Sequence, residues 1–211
     1  MKTTILFQGD SITDCGRAAG PAAGYSNGGM GPGYPALVMA RTMRDYPARE
    51  WNFLNRGISG NRIVDLYARW RVDCLNLKPD VLSIMIGVND VWHEENRNGV
   101  DAPRFERFYR ELLKWTKSEL PEIRLVILEP FIVMSSDATS KMRPEVVKRA
   151  EVAKAVAQEF GAAFVPLQRL FDEASRLAPP AFWAADGVHP SPAGHQLIAD
   201  AWLGAMPLGT D

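Results

Sequence analysis

Residues 3–11 read Thr-Thr-Ile-Leu-Phe-Gln-Gly-Asp-Ser, an apolar run that ends in a glycine and two small polar residues. A short run that is apolar at successive positions is typical of a strand buried on both faces of a parallel sheet. We therefore predict a strand over Thr3–Gln8, followed at once by a tight turn that carries Ser11.

Four similar runs follow along the chain, and amphipathic segments separate them. The predicted strands are Thr3–Gln8, Trp51–Asn55, Val81–Ile86, Leu125–Leu128 and Ala162–Val165. The predicted helices are Tyr34–Tyr46, Ile63–Leu75, Phe105–Leu120, Arg143–Phe160 and Ala193–Met206. The fourth helix is predicted to begin at Arg143 because a proline, here Pro144, is typical of a first helical turn. The alternation predicts one α/β domain over residues 1–211, with helices on both faces of a parallel sheet.

The composition is that of an ordinary globular protein, with 46% hydrophobic and 23% charged residues. A net charge of -1 gives no basis for binding nucleic acid or an anionic membrane surface. Two cysteines and three histidines show neither a disulfide framework nor metal-ligand spacing, so we expect no metal. No apolar run is long enough to span a bilayer, and the first is too short for a secretory signal. We therefore expect a cytoplasmic protein.

Polar residues that can do chemistry follow the predicted strands. Ser11 follows the first strand, Gly57-Ile58-Ser59-Gly60-Asn61 the second and Asn89 the third, while Asp186 and His189 lie beyond the fifth. Ligands of doubly wound sheets bind outside the carboxyl ends of the strands. These residues, far apart along the chain, are therefore predicted to meet at one edge of the sheet.

The residue types at this edge favour nucleophilic acyl transfer. A serine hydroxyl such as that of Ser11 needs a base, and the imidazole of His189 can take and return its proton. Asp186 can fix the tautomer of that ring. The backbone N–H groups of Ser11 and Gly57 and the side-chain amide of Asn89 are candidate donors to an oxyanion. Each residue alone could be a helix cap or a turn residue, but their joint occurrence favours catalysis.

Four blocks resemble those of the SGNH hydrolases, also called the GDSL family: Gly9–Ser11, Gly57, Gly87–Asp90 and Asp186–His189. The resemblance implies a flavodoxin-like three-layer α/β/α sandwich with a five-stranded parallel sheet. It also implies ester hydrolysis through an acyl-enzyme, without a metal or organic cofactor. Longer stretches, such as residues 9–17, 83–92 and 188–195, are similar to the intracellular acetylxylan esterase branch. That similarity implies acetylated xylo-oligosaccharides as substrates and a homo-oligomeric protein.

Three functions stay open on the sequence alone. The first is a carbohydrate O-acetyl esterase, and the second is a lysophospholipase or thioesterase of the same fold that acts on longer acyl chains. The third is a carbohydrate-binding module without catalysis.

Aromatic residues near the predicted edge are candidates to contact a sugar ring: Trp92, Tyr34 and Trp183. The glycine-rich segment 15–33 is predicted to be irregular and to form part of the rim of the site. His195 is expected to serve packing or capping.

Overall fold

Five parallel strands form the central sheet of the protein. The computed structural model describes residues 2–18 and 29–208. The strands are β1 (Thr3–Gly9), β2 (Trp51–Asn55), β3 (Val81–Met85), β4 (Arg124–Leu128) and β5 (Ala163–Val165). They lie in the order β2-β1-β3-β4-β5, and every neighbouring pair is parallel. This is the flavodoxin-like order of a doubly wound sheet.

Helices cover both faces of this sheet. They are α1 (Ser11–Asp14), α2 (Tyr34–Asp45), α3 (Ile63–Asp73), α4 (Val88–Trp92), α5 (Ala102–Glu119), α6 (Asp137–Glu159), α7 (Leu167–Ala174), α8 (Pro180–Trp183) and α9 (Pro192–Ala205). Short 3₁₀ turns follow α3 at Leu75–Leu77 and α4 at His93–Asn96. Among the described residues, no helix combines the length and the hydropathy needed to cross a bilayer.

Two apolar cores join the layers, one on each face of the sheet. On one face Phe7 of β1 packs with Tyr34 of α2 and Trp202 of α9. On the other face Leu6 belongs to the same cluster as Trp70 of α3. Because successive residues of a strand point to opposite faces, a strand covered on both sides needs an apolar residue at each position. The three-layer α/β/α sandwich implied by the sequence is therefore confirmed.

The start of α6 differs from the prediction. The helix begins at Asp137 rather than at Arg143, and Pro144 lies inside it. Ser136 and Thr139 cap the true start reciprocally, since each hydroxyl accepts the backbone N–H of the other residue. The prediction was wrong because this cap, upstream of the proline, fixes the first turn.

The chain order reverses at β1, which lies between β2 and β3. A crevice therefore opens at the carboxyl ends of β1 and β3, where the connections leave in opposite directions. The one-turn helices α1 and α4 follow these two strands directly. The sequence analysis missed both helices because a single turn is too short to show helical periodicity.

Candidate active site

The first part of the site is the turn between β1 and α1, which carries Ser11 as the first residue of the helix. Gly9 ends the strand with a φ of 159°. A Cβ at this position would overlap the carbonyl oxygen of Met85 and the hydroxyl of Thr13. Only glycine lets the chain enter α1 this close to β3.

Ser11, His189 and Asp186 form one hydrogen-bonded chain, as predicted from the sequence. Ser11 Oγ lies 2.8 Å from His189 Nε2, and His189 Nδ1 lies 2.6 Å from Asp186 Oδ2. Asp186 is acceptor-only as a carboxylate, so it receives the proton on Nδ1. The lone pair of Nε2 is then left to accept the hydroxyl proton of Ser11.

Asp186 also holds the turn that carries His189. Its Oδ1 accepts the backbone N–H groups of Val188 at 2.9 Å and of His189 at 2.8 Å. Partial burial would raise the pKa of Asp186, but the hydrogen bonds from His189 and Val188 outweigh it, and the pKa lies below its ordinary value. The acid therefore stays ionised and orients the ring at the same time.

Asn89 and the loop after β2 lie next to each other. Asn89 is in the first turn of α4, and its Nδ2 donates to the carbonyl of Asn61 at 3.2 Å. Ser11, at the start of α1, has a backbone N–H that no intrahelical carbonyl can accept. Two of the three predicted oxyanion donors are thus side by side with the loop of residues 57–61.

The third predicted donor, the N–H of Gly57, is already used. It donates to Asn55 Oδ1 at 2.9 Å, and Gly57 is buried. Gly60, in the same loop, is exposed and has a φ of 82°. Within the described part of the chain, its N–H has no hydrogen-bond acceptor. Among the described residues, the free donor of this loop is therefore Gly60 and not Gly57, the glycine predicted from the sequence.

Two buried carboxyl groups flank the site. Asp10 precedes Ser11 and caps α1 by accepting the N–H of Ile12 at 3.0 Å, while Asp90 accepts the N–H of Ile63 at 3.2 Å. Burial raises the pKa of Asp10 to about 7 and that of Asp90 to about 8. Asp10 thereby positions the backbone at the start of α1, and Asp90 positions the backbone at the start of α3. Both residues support the structure around the site.

In residues 2–18 and 29–208, no three His, Cys, Asp or Glu side chains cluster as ligands for a metal ion. Residues 19–28, the centre of the glycine-rich segment, lie outside the described residues, and their role as a rim stays a prediction.

Trp92 is the predicted aromatic residue that lies beside the hydrogen-bonded chain. Its side chain is 38% exposed, and its ring centroid lies 6.4 Å from that of His189. Together with Glu95, Ser136 and Asp186 it lines a cavity of about 150 Å³.

The prediction that Tyr34 contacts substrate is wrong. Tyr34 is fully buried against Phe7, and its hydroxyl lies 3.1 Å from Thr13 Oγ1. The first turn of α2 faces the sheet and not the crevice, so this ring has no route to a ligand. Trp183 is partly buried against the core and stacks edge-on with Phe182, so its contact with substrate stays a prediction.

His195, in the first turn of α9, is buried behind the site. Its Nδ1 accepts the N–H of Tyr34 at 3.2 Å, and its Nε2 lies 3.4 Å from Cys15 Sγ. Because Nδ1 accepts, the neutral ring carries its proton on Nε2 and donates it to the sulfur. Burial, together with nearby His189, lowers the pKa of His195 to about 4.

We expect His195 to make the protein less stable in acid. A group whose pKa is depressed by folding adds stability above its unfolded pKa, and that stability is lost as the pH falls toward the folded value. A pKa of about 4 against a model value of 6.5 gives a loss of about 2 kcal/mol between about pH 7.5 and about pH 5. Urea unfolding at both pH values measures it.

The variant His195→Asn retains an acceptor for Tyr34 N–H and does not titrate. It should lose about 2 kcal/mol less than the wild type over the same pH interval. The contributions of Asp10 and Asp90 are common to both proteins and cancel in the difference. An unchanged pH dependence in this variant would contradict the assignment to His195.

Known proteins share both the sequence and the structure of this chain. Residues 7–197 match the GDSL-like Lipase/Acylhydrolase family. An acetylxylan esterase of Geobacillus stearothermophilus is 39% identical over 204 residues, which cover 94% of this chain and 91% of that protein. A crystal structure of that esterase, called Axe2, superimposes with a TM-score of 0.88 at 37% identity and covers 99% of this chain and 95% of the other.

A second solved structure, of a Parabacteroides merdae protein described as a GDSL-like lipase, has a TM-score of 0.90 at 42% identity. The superposition covers 96% of this chain and 94% of the Parabacteroides merdae chain. The family match, the identity over nearly the whole length and the shared fold agree with one another. The chain therefore belongs to the GDSL-like lipase/acylhydrolase family.

Proposed function

We propose that the protein is a serine esterase that removes acetyl groups from acetylated xylo-oligosaccharides. The observation that carries the proposal is the pair of hydrogen bonds that joins Ser11 to His189 and His189 to Asp186 at the carboxyl edge of the sheet. Ser11 Oγ lies 2.8 Å from His189 Nε2, and His189 Nδ1 lies 2.6 Å from Asp186 Oδ2. The similarity of the protein to an acetylxylan esterase over 94% of the sequence supports the choice of substrate.

In the first half of the reaction, Ser11 Oγ attacks the carbonyl carbon of the acetyl group and its proton passes to His189 Nε2. The oxyanion of the tetrahedral intermediate accepts hydrogen bonds from Ser11 N–H and from Asn89 Nδ2. We assign the third donor to Gly60 N–H, since the N–H of Gly57 is bound to Asn55. His189 then returns the proton to the sugar oxygen, which leaves as an alcohol.

In the second half, water attacks the acetyl-serine and gives its proton to His189. The intermediate collapses, Ser11 recovers the proton from His189, and acetate leaves. Asp186 stabilises the imidazolium in both halves. No step needs a metal or an organic cofactor.

The leaving sugar must lie beside His189, because this residue protonates the sugar oxygen. Trp92 forms one wall on that side, and a cavity of about 150 Å³ lies next to it. Glu95 and Ser136 on the rim can hydrogen-bond with sugar hydroxyls. We propose this cavity as the subsite of the leaving sugar.

The cellular setting is part of the same proposal. Cys15 and Cys74 are unpaired, which fits a reducing compartment, and we propose the cytoplasm. We also propose a homo-oligomer. Exposed apolar side chains such as Leu177 (86%) and Phe182 (55%) are available for contacts between subunits.

The test of the proposed function compares two substrates with the same enzyme. Acetate release from acetylated xylo-oligosaccharides is measured beside hydrolysis of nitrophenyl octanoate, with Ser11→Ala as the blank. We expect fast, Ser11-dependent release of acetate and negligible turnover of the octanoate. The variant Trp92→Ala, in the same assay, should raise KM for the oligosaccharide.

The opposite substrate preference would keep the catalytic residues and make the protein a lysophospholipase or thioesterase. A protein that turns over neither substrate and is not labelled by a fluorophosphonate at Ser11 would be a carbohydrate-binding module without catalysis.

A further inference from the structure

Asp14, at the end of α1, connects the helix of Ser11 to the loop of residues 57–61. Its Oδ2 accepts two hydrogen bonds from one residue, the backbone N–H of Ser59 at 3.0 Å and the hydroxyl of Ser59 at 2.7 Å. The chemistry described above gives Asp14 no role, although it lies one helical turn from the nucleophile.

The start of this loop is held by further contacts, one of them from Arg17, whose backbone N–H also donates to Asp14 Oδ1 at 3.3 Å. Arg17 Nε donates to the carbonyl of Gly57 at 2.6 Å, and the N–H of Ile58 donates to the carbonyl of Gly9 at 3.0 Å. Asn55 Nδ2 donates to the carbonyl of Thr13 at 2.7 Å. A Cβ at Gly57 would overlap the backbone of α1, so the loop begins in direct contact with that helix.

The end of the loop is fixed as well. Asn61 accepts a hydrogen bond from Arg69 Nε at its side chain and one from Asn89 Nδ2 at its carbonyl. Between these two anchors lie Ser59 and Gly60, both exposed, in a turn that the backbone N–H of Asn61 closes on the carbonyl of Ile58 at 3.1 Å. Among the described residues, Asp14 makes the side-chain contacts that hold Ser59.

We propose that Asp14 is a positioning residue for the oxyanion site. By holding Ser59 it sets the orientation of the next peptide, whose N–H belongs to Gly60. Asp14 and Ser11 are in the same turn of α1. The contact of Asp14 with Ser59 therefore fixes the position of the Gly60 N–H relative to the Ser11 N–H. This inference rests on the proposed function in one respect, the assignment of Gly60 N–H as an oxyanion donor.

The physical reason is preorganisation. Donors to an oxyanion are effective when they already point to the position that the charge will occupy, so that no reorganisation is needed during the reaction. A displacement of about 1 Å can lower a rate by about 10²-fold. Since the oxyanion forms only after attack, a misplaced Gly60 N–H should lower kcat and leave KM unchanged.

The test measures kcat and KM with nitrophenyl acetate, so that it does not depend on the sugar. We expect Asp14→Ala to lower kcat about 30-fold with KM unchanged. Asp14→Asn keeps an oxygen that can accept both bonds from Ser59, and its kcat should return to within about threefold of the wild type. Ser59→Ala loses one of the two bonds and should lower kcat about threefold.

Asp80→Ala is the matched control. Asp80 also accepts a backbone N–H, that of Thr4 at 2.7 Å, but at the opposite end of β1. This variant should keep the wild-type kcat. In the Asp14→Ala background, Ser59→Ala should have no further effect, since both residues make the same contact.

Wild-type kcat in Asp14→Ala, or a change confined to KM, would overturn the proposal. If Asp14→Ala fails to fold, Ser59→Ala decides, and a wild-type kcat in that variant overturns the proposal too. Failure of the proposed function looks different, because the wild-type protein would then show no hydrolysis that depends on Ser11.

Discussion

Replacement of Ser11 by alanine is expected to lower kcat by about 10⁶-fold, the loss measured when a triad serine is removed. In the proposed mechanism Ser11 Oγ forms the acyl-enzyme, and among the described residues it is the nucleophilic atom that lies within hydrogen-bond distance of His189 Nε2, at 2.8 Å. The residual rate comes from binding and from the oxyanion donors, which Ser11→Ala leaves in place.

The measurement is hydrolysis of nitrophenyl acetate, with circular dichroism to compare the folds. Ser11 is the first residue of α1, and within residues 2–18 and 29–208 its Oγ bonds only to the exposed His189, so the melting temperature should change little. Ser118→Ala is the control, because this exposed serine lies on α5 and caps nothing in the site. If Ser11→Ala retained a tenth of the wild-type rate, the nucleophile would have to be a different residue.

Replacement of Asn89 by alanine should lower kcat by about 10²–10³-fold, the usual effect of losing one oxyanion donor. The amide is fixed before substrate arrives, because Nδ2 already bonds to the carbonyl of Asn61 and the side chain is only 8% exposed. KM should stay close to the wild-type value, since the negative charge exists only after attack.

Steady-state kinetics separate the two roles that Asn89 could have. A rise in KM with unchanged kcat would make Asn89 a substrate-binding residue instead of an oxyanion donor. Asn98→Ala serves as the control, because the side chain of this exposed asparagine bonds to Arg62 and is not part of the proposed oxyanion site. Its kcat should equal that of the wild type.

The sheet and the residues at its edge could be predicted from the sequence for one reason. Strands buried on both faces leave an apolar run, such as Leu125–Leu128 of β4, that ends where the chain leaves the core. The polar residue that follows must then lie at the carboxyl edge, which places Ser11 and Asn89 together. Asp186 and His189 could be added because the acid lies three positions before the base, a spacing at which the two can bond within a single turn.

The failures concern features that depend on side-chain packing or backbone direction. Tyr34 has an aromatic side chain of the kind that contacts sugars, but in the first turn of α2 its ring packs against Phe7. Gly57 was predicted to donate its N–H to the oxyanion, but that N–H donates to Asn55 Oδ1 instead, a side-chain contact that the sequence does not reveal. Pro144 fits either the first turn or the interior of α6, and the cap at Ser136 decides between them.

The hydrogen bond between Ser11 and His189 joins residues that are separated by 178 positions along the chain. Synthesis therefore produces Ser11 well before His189. A nascent chain that has not yet reached residue 186 carries Ser11 without a proton acceptor, and it also lacks α9, which packs against α2 through His195 and Tyr34. Enzymatic activity thus requires that synthesis has passed His189, and a translation product truncated before residue 186 would be catalytically silent.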